Sequence, residues 1–385
     1  MRSRSTIFAA GAALAATALS LALVAPANAD LAPGNDDIVG VGSDTVQNIA
    51  NFMFDGDFTG LATGVNPTVA KNRVFSFDAT PDANDRAGYL NGSTSTALKP
   101  LTPTVVLRAG SSPIQRPNGS GAGITALLAD KTAPLKINFV RSSRLPKVEE
   151  QNAAVNNGFV GGLRVIKIST DALKIAATDT IPTHAPASLT IAQLVDIYKC
   201  NTTNWTAIGG TAGTIIPLIP QAGAGTRSSF VADLTAGNGG TAFSFGACVQ
   251  TVEENDPSAL TGSASPADSI APFSEGRDNL YNSGYFKDPT VPFPGAAAGL
   301  NPGIKMLATT NGGYVNSRGL YIVLRQADAT STKKWQPGST LNWAQALFVG
   351  ATSYAASGDA ASAIASGGAT QTYADCGNGP TVTTC

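Results

Sequence analysis

Histidine is nearly absent from this sequence: His184 is the only one. That removes most zinc sites and leaves a Ser-His-Asp hydrolase a single candidate base, in the turn Pro182-Thr183-His184-Ala185-Pro186. Charge is also scarce, at 13% of residues, with 25 Lys and Arg against 26 Asp and Glu. A protein built to bind nucleic acid would carry a large basic excess, so that partner class is excluded. Only four cysteines occur, Cys200, Cys248, Cys376 and Cys385, and none has the Cys-x-x-Cys spacing of a metal site. Asp78, Asp82, Asn84 and Asp85 do not match the spacing of a calcium loop, so no metal and no cofactor is expected. After the first 30 residues no apolar run is long enough to span a membrane.

What is present begins with a leader. Arg2 and Arg4 precede the apolar run Ile7 to Val24, and Ala27-Asn28-Ala29 offers small residues to signal peptidase. Residues 1–29 therefore read as a Sec-type signal peptide, with Asp30 first in the mature chain and no cysteine there to carry a lipid. Losing the two leader arginines leaves 23 basic against 26 acidic residues, a formal net charge of −3. The 356 residues that remain are more than one ordinary core accommodates. All four cysteines lie in the exported part, where disulfides are favoured. Of the three pairings they allow, Cys200 with Cys248 and Cys376 with Cys385 is expected. The second closes a short Gly/Pro/Thr loop, and the first ties a helix end to a nearby segment.

Short β-rich runs repeatedly lead through a glycine or hydroxyl turn into helix-period segments. Ile38 to Gly42 precedes Ser43-Asp44-Thr45 and the stripe Val46, Ile49, Ala50, Met53; Asp44 followed by Gln47 suggests a capping box. Thr104 to Arg108 precedes Asn118 to Gly123 and then Ile124, Leu127 and Leu128. Lys136 to Val140 runs into Arg141-Ser142-Ser143-Arg144. Ile215 to Ile219 enters Gln221 to Arg227 and a helix carrying Phe230, Val231 and Leu234. Further helices are expected after the cap Thr190 and over Leu341 to Phe348, and Ala355 to Thr370 fits a weak helix followed by a loose tail. This is α/β grammar with largely parallel sheets. In such sheets the strand ends and the following helix N-termini converge on a crevice that suits an anion. Ser43, Thr45, Ser120, Ser142, Ser143 and Thr226 supply hydroxyls there, and Arg141, Arg144 and Arg227 supply charge. Glu253-Glu254 with Asp256 reads as a solvated acidic loop, and Trp205, Trp335 and Trp343 as core.

Four segments, in order, carry a family resemblance: Gly40-Val41-Gly42-Ser43-Asp44-Thr45, Asn138 to Ser143, Leu189 to Trp205 and Gly223-Ala224-Gly225-Thr226-Arg227. The chain resembles the phosphate-binding, PstS-like substrate-binding proteins of ABC importers, in a secreted actinobacterial-type branch, over nearly its whole mature length. The resemblance implies the two-lobe periplasmic-binding-protein-like (class II) α/β fold, with a hinge and a ligand cleft between the lobes. Lobe 1 would be residues 30–164 and 320–385, and lobe 2 residues 165–319. The ligand set it implies is Ser43, Asp44, Thr45, Ser120, Gly121, Arg141, Ser142, Ser143, Gly225, Thr226 and Arg227, with no catalytic residue. Ser143 stands where phosphate binders place a carboxylate, and Pro220 and Ala224 replace an arginine and a serine of their last turn. The expected function is an exported, monomeric, non-catalytic protein that captures phosphate or a related small oxyanion for an ABC permease or a sensor. The alternatives are an exported phosphoester-acting enzyme, or a surface interaction protein that kept the fold and lost the ligand.

Overall fold

The computed structural model describes residues 32–57, 62–69, 71–80, 102–283, 303–332 and 334–385. The expected leader and most of the Asp78 to Asp85 cluster lie outside them.

Strand β1 (Ile38–Gly42), wholly buried, pairs in parallel with β2 (Val74–Ser76) and β5 (Phe139–Ser142). Between them run α1 (Gln47–Asp55), the short antiparallel pair β3 (Thr104–Val105) and β4 (Ile114–Gln115), and α2 (Ser120–Ala129). After β5 come α3 (Val148–Asn156) and the 16-residue strand β6 (Leu163–Thr178). Helix α4 (Ile191–Tyr198) leads to β7 (Ile216–Pro220), α5 (Gly225–Gly237), β8 (Gln250–Val252), α6 (Ser258–Thr261), β9 (Ser269–Ser274) and α7 (Glu275–Asn282). The chain then forms β10 (Ile304–Met306), β11 (Asn316–Arg325), α8 (Gln326–Ala329), α9 (Trp343–Leu347), α10 (Gly358–Ser366) and β12 (Thr370–Asn378).

The main sheet has the order β2-β1-β5-β11-β6-β9-β7-β8, with β10 and β12 also paired to β6. Its two ends are parallel, as the strand-turn-helix pattern implies, but its middle is not: β11 is antiparallel to both β5 and β6, and β6 to β9. The reason is that β6 and β11 are the strands that pass between two separate cores. Along β6, Leu163, Val165, Ile166 and Ile168 pack into two apolar clusters built with α1, α2, α9 and α10, whereas Leu173, Ile175 and Ala177 pack with α4 and α5. The changeover at Ser169 to Ala172 marks the junction of two α/β lobes, each a sheet with helices on both faces.

Local expectations fare variously. Thr190 caps α4 by accepting from Gln193 N, and Val46, Ile49, Ala50 and Met53 are all buried in one cluster. Trp205 and Trp343 are core, and Trp335 packs against the same cluster as Trp343. Both expected disulfides are formed. Thr104 to Arg108, however, supplies only a two-residue ladder outside the main sheet, because Arg108 turns in to donate to the Gly34 and Asp37 carbonyls and to Asn138. The loose tail expected after Thr370 is instead strand β12 on β6; its Thr and Tyr residues suit a pleated surface.

Candidate functional site

Four turns meet where the lobes face each other. At the first, Ser43, Asp44 and Thr45 leave β1 and are all buried. The expected cap does not form. The chain is already helical at Val46, Gln47 N donates to the Asp44 carbonyl, and no side chain caps α1. The Asp44 carboxyl is thereby turned into the space between the lobes, where Asn255 Nδ2 lies 3.3 and 3.4 Å from its two oxygens.

The second and third turns are joined by serines. Ser143 N donates to Ser120 Oγ at 2.9 Å, and the two hydroxyls are 3.3 Å apart. At the fourth, Gly225 opens α5 directly against them. A Cβ there would fall 2.1 Å from Ser143 Oγ and 2.4 Å from Ser120 Oγ, so only glycine fits this approach. A Cβ on Gly119, at φ +100°, would likewise fall 2.5 Å from the Gly223 carbonyl oxygen, to which Gly121 N donates at 2.9 Å. The N-termini of α2 and α5, from opposite lobes, are thus in contact.

The three arginines singled out in the sequence hold structure. Arg141 is fully buried, and its guanidinium donates to the carbonyls of Gly42, Ser43 and Phe77 and to Ser76 Oγ, which fixes the first turn. Arg144 grips Glu150 with two bonds of 2.7 and 2.8 Å. Arg227 donates to the Pro220 carbonyl and lies 5.0 Å from the centre of the Phe245 ring; burial holds its pKa below the usual value. Ser142 Oγ donates to the Arg144 carbonyl.

The charge that reaches the meeting point comes from residues the sequence reading missed. Arg318, on β11, donates to Thr226 Oγ1 at 2.9 Å and makes a two-bond ion pair with Asp171 of β6. Glu254 was expected in solvent, yet it is 1% exposed. The loop after β8 folds into the cleft, where Glu253 accepts from Asn118 and Gln221 and Glu254 Oε1 accepts from Thr226 N at 2.8 Å. Asn255, at φ +53°, holds this bend, its Oδ1 accepting from Ser274 N. The signal available in the sequence was weak: two adjacent carboxylates before an asparagine in a chain poor in charge. Arg277, on α7, is buried beside Asn48, to which it donates.

Burial holds the Asp44 carboxyl well above the usual carboxylate range; the neighbouring Glu254, through charge and a hydrogen bond, pushes it the same way, and Arg277 opposes them. Burial likewise raises Glu253. Beside the meeting point, toward β6 and β11, opens a cavity of about 310 Å³, lined among others by Ser143, Arg144, Lys167, Ser229, Arg318 and Tyr321. Among the described residues no group of three or more His, Cys, Asp or Glu is placed to hold a metal, and no helix is long and apolar enough to cross a membrane. His184 Nδ1 instead lies 2.8 Å from Asp268, away from the cleft turns.

The chain matches the PBP superfamily domain over residues 79–371 and so belongs to that superfamily. No curated protein matches it. Among solved structures it is similar to a Clostridium perfringens protein assigned as a phosphate ABC transporter substrate-binding protein and solved with bound phosphate. The two are 14% identical with a TM-score of 0.50, over 87% of this chain and 99% of that one. An ABC-type phosphate transport receptor from Vibrio cholerae is 15% identical, over 87% of this chain and the whole of that one, with a TM-score of 0.48. The first of these likenesses agrees with the two-lobe fold.

Proposed function

From membership of the PBP superfamily, we propose that this chain is an exported solute-binding protein that captures phosphate or a related small oxyanion between its lobes. It delivers the ligand to an ABC-type permease or reports it to a sensor, as a monomer and without a catalytic step. The observation that carries this reading is that the cleft already binds an oxyanion group: the Glu254 carboxylate sits at the N-terminus of α5, answered by Thr226 N, with the Arg318 guanidinium on the same threonine. Free N–H groups and the helix dipole favour negative charge at such a point, whichever molecule supplies it. The buried hydroxyls of Ser43, Thr45, Ser120, Ser143 and Thr226 line the same junction, and phosphate bound to the Clostridium perfringens relative gives the ligand its first candidate.

The test is the melting temperature of protein spanning Asp30 to Cys385, disulfides oxidised, in phosphate, arsenate, sulfate and citrate. A ligand bound only by the folded form at a hundredfold over its Kd adds about 2.7 kcal/mol, an easily measured shift. Thr226→Val keeps the backbone N–H and removes the hydroxyl that Arg318 engages, so it should weaken the response. A second reading, a fold kept without its ligand, draws on the same Glu254 carboxylate, which stands where a ligand would. Absence of any shift, in wild type and in Glu254 variants alike, would favour it.

A further inference from the structure

The α5 N-terminus is occupied by the protein itself. Glu254 comes from a loop 28 residues further along the chain, is 1% exposed, and delivers Oε1 to Thr226 N at 2.8 Å, with Thr45 Oγ1 at 3.4 Å. Its second oxygen, Oε2, is buried and accepts from no described N–H or alcohol hydroxyl, and Glu254 shares a hydrogen bond with the neighbouring Asp44 carboxyl. What keeps it there is a built loop. Asn255 takes a left-handed backbone conformation (φ +53°), donates to Thr45 Oγ1 at 3.0 Å, and accepts from Ser274 N, while Tyr281 donates to its carbonyl.

We propose that Glu254 is a tethered competitor: its carboxylate holds the oxyanion position of the closed cleft, and a captured anion must expel it to take Thr226 N. The proposal rests on the oxyanion-capture reading above and names the residue that sets its affinity. A single N–H serves one acceptor well, so an incoming oxyanion oxygen and Glu254 Oε1 cannot both be answered at Thr226. The charges around the position also forbid coexistence. Asp44 and Glu253 face it from the first turn and from its own loop, and both are harder to ionise than usual, chiefly through burial. Arg277 and Tyr281 approach from α7, and Arg318 behind Thr226 is already paired with Asp171. Adding a dianion beside an unexpelled Glu254 would place like charges together with too few cations to offset them. An affinity measured on the native protein is therefore the intrinsic affinity reduced by the fraction of molecules whose position is vacant.

The experiment measures phosphate binding by calorimetry to the full mature protein at pH 7.5, for wild type, Glu254→Gln and Glu254→Ala, alongside melting in phosphate-free buffer. Expected are phosphate affinities about tenfold or more tighter in both variants, together with lower melting temperatures without phosphate, because alanine removes the internal cap of α5 and glutamine leaves it only a neutral amide acceptor. These opposite signs are the signature of competition. A merely structural glutamate would lower both stability and affinity. The near-isosteric glutamine variant, checked by circular dichroism, guards against misfolding of the alanine one. Unchanged or weaker phosphate binding in both variants, with wild type binding, overturns the competitor and leaves the capture reading standing. Binding of phosphate, arsenate and sulfate by none of the three proteins overturns both.

Discussion

The Arg318–Asp171 pair ties together the two strands that pass between the lobes, and its removal makes the sharpest test of how the junction is held. Both side chains are buried, at 5% and 0% exposure, and two nitrogens of Arg318 reach Asp171 Oδ2 at 2.9 and 3.0 Å. A third nitrogen reaches Thr226 Oγ1. Asp171 also accepts from Ser274 Oγ and Gly276 N. Changing Arg318→Met keeps the apolar stem but strips the carboxylate of its cation, leaving two neutral donors. Breaking a buried pair from one side costs about 3–5 kcal/mol, largely because the abandoned charge is still out of water. Asp171→Asn in the same molecule removes that charge while an amide oxygen still faces Ser274 and Gly276. The double variant should therefore recover most of the loss, with a coupling of about 2 kcal/mol or more, as contacting groups in one network show. Equilibrium urea unfolding of wild type, both single variants and the double reads this cycle. A loss below about 1 kcal/mol in Arg318→Met, or strict additivity in the double, would refute the claim that this pair anchors the junction.

Other consequences follow from the same geometry. Asp44 ionises at about 3.8 in the unfolded chain and well above that in the folded one. The folded state therefore holds the extra proton, and stability should fall as pH rises from 3.8 toward the folded value and then level off. Asp44→Asn should flatten that part of the melting-temperature profile, and an unchanged slope would show that other groups set it. Gly225→Ala, whose Cβ would meet Ser143 and Ser120 hydroxyls at 2.1 and 2.4 Å, should push the lobes apart; small-angle scattering should report expansion and calorimetry a weakened phosphate response, and a wild-type profile in both would count against the contact. The disulfides should differ in worth. With separations of 48 and 9 residues, loop entropy assigns about 4 kcal/mol to Cys200–Cys248 and about 2.6 to Cys376–Cys385. Paired serine substitutions compared by urea unfolding check that order, and the reverse order would refute it.

How much of this was legible beforehand varies by element. The stripe at Val46, Ile49, Ala50 and Met53, the Thr190 cap and the Cys376–Cys385 pair nine residues apart are short-range or periodic features, and they appear where the pattern placed them. The turns at Ser43, Ser120, Ser143 and Thr226 were also recognisable, because hydroxyls and glycines at strand-to-helix junctions are a local signature. Arg141 had the right position and a different task, since a guanidinium enclosed by three carbonyls cannot be distinguished in sequence from one awaiting a ligand. Asp44 read as a cap for the same reason. The choice between bonding its own helix and facing another lobe is made by where Val46 becomes helical.

The sequence alone determined the α/β class and the identity of the meeting turns, and through its motifs the resemblance that implied two lobes, because each is written in spacing, composition or motifs that act over a few residues. Tertiary structure alone decided that Arg318 and Glu254 arrive at Thr226, 92 and 28 residues from it along the chain. It likewise decided that β11 and β6 run antiparallel through the junction and that an apparently solvated glutamate is buried there. Those outcomes depend on which loops pack against which, and a buried charge is tolerated only where distant donors converge on it.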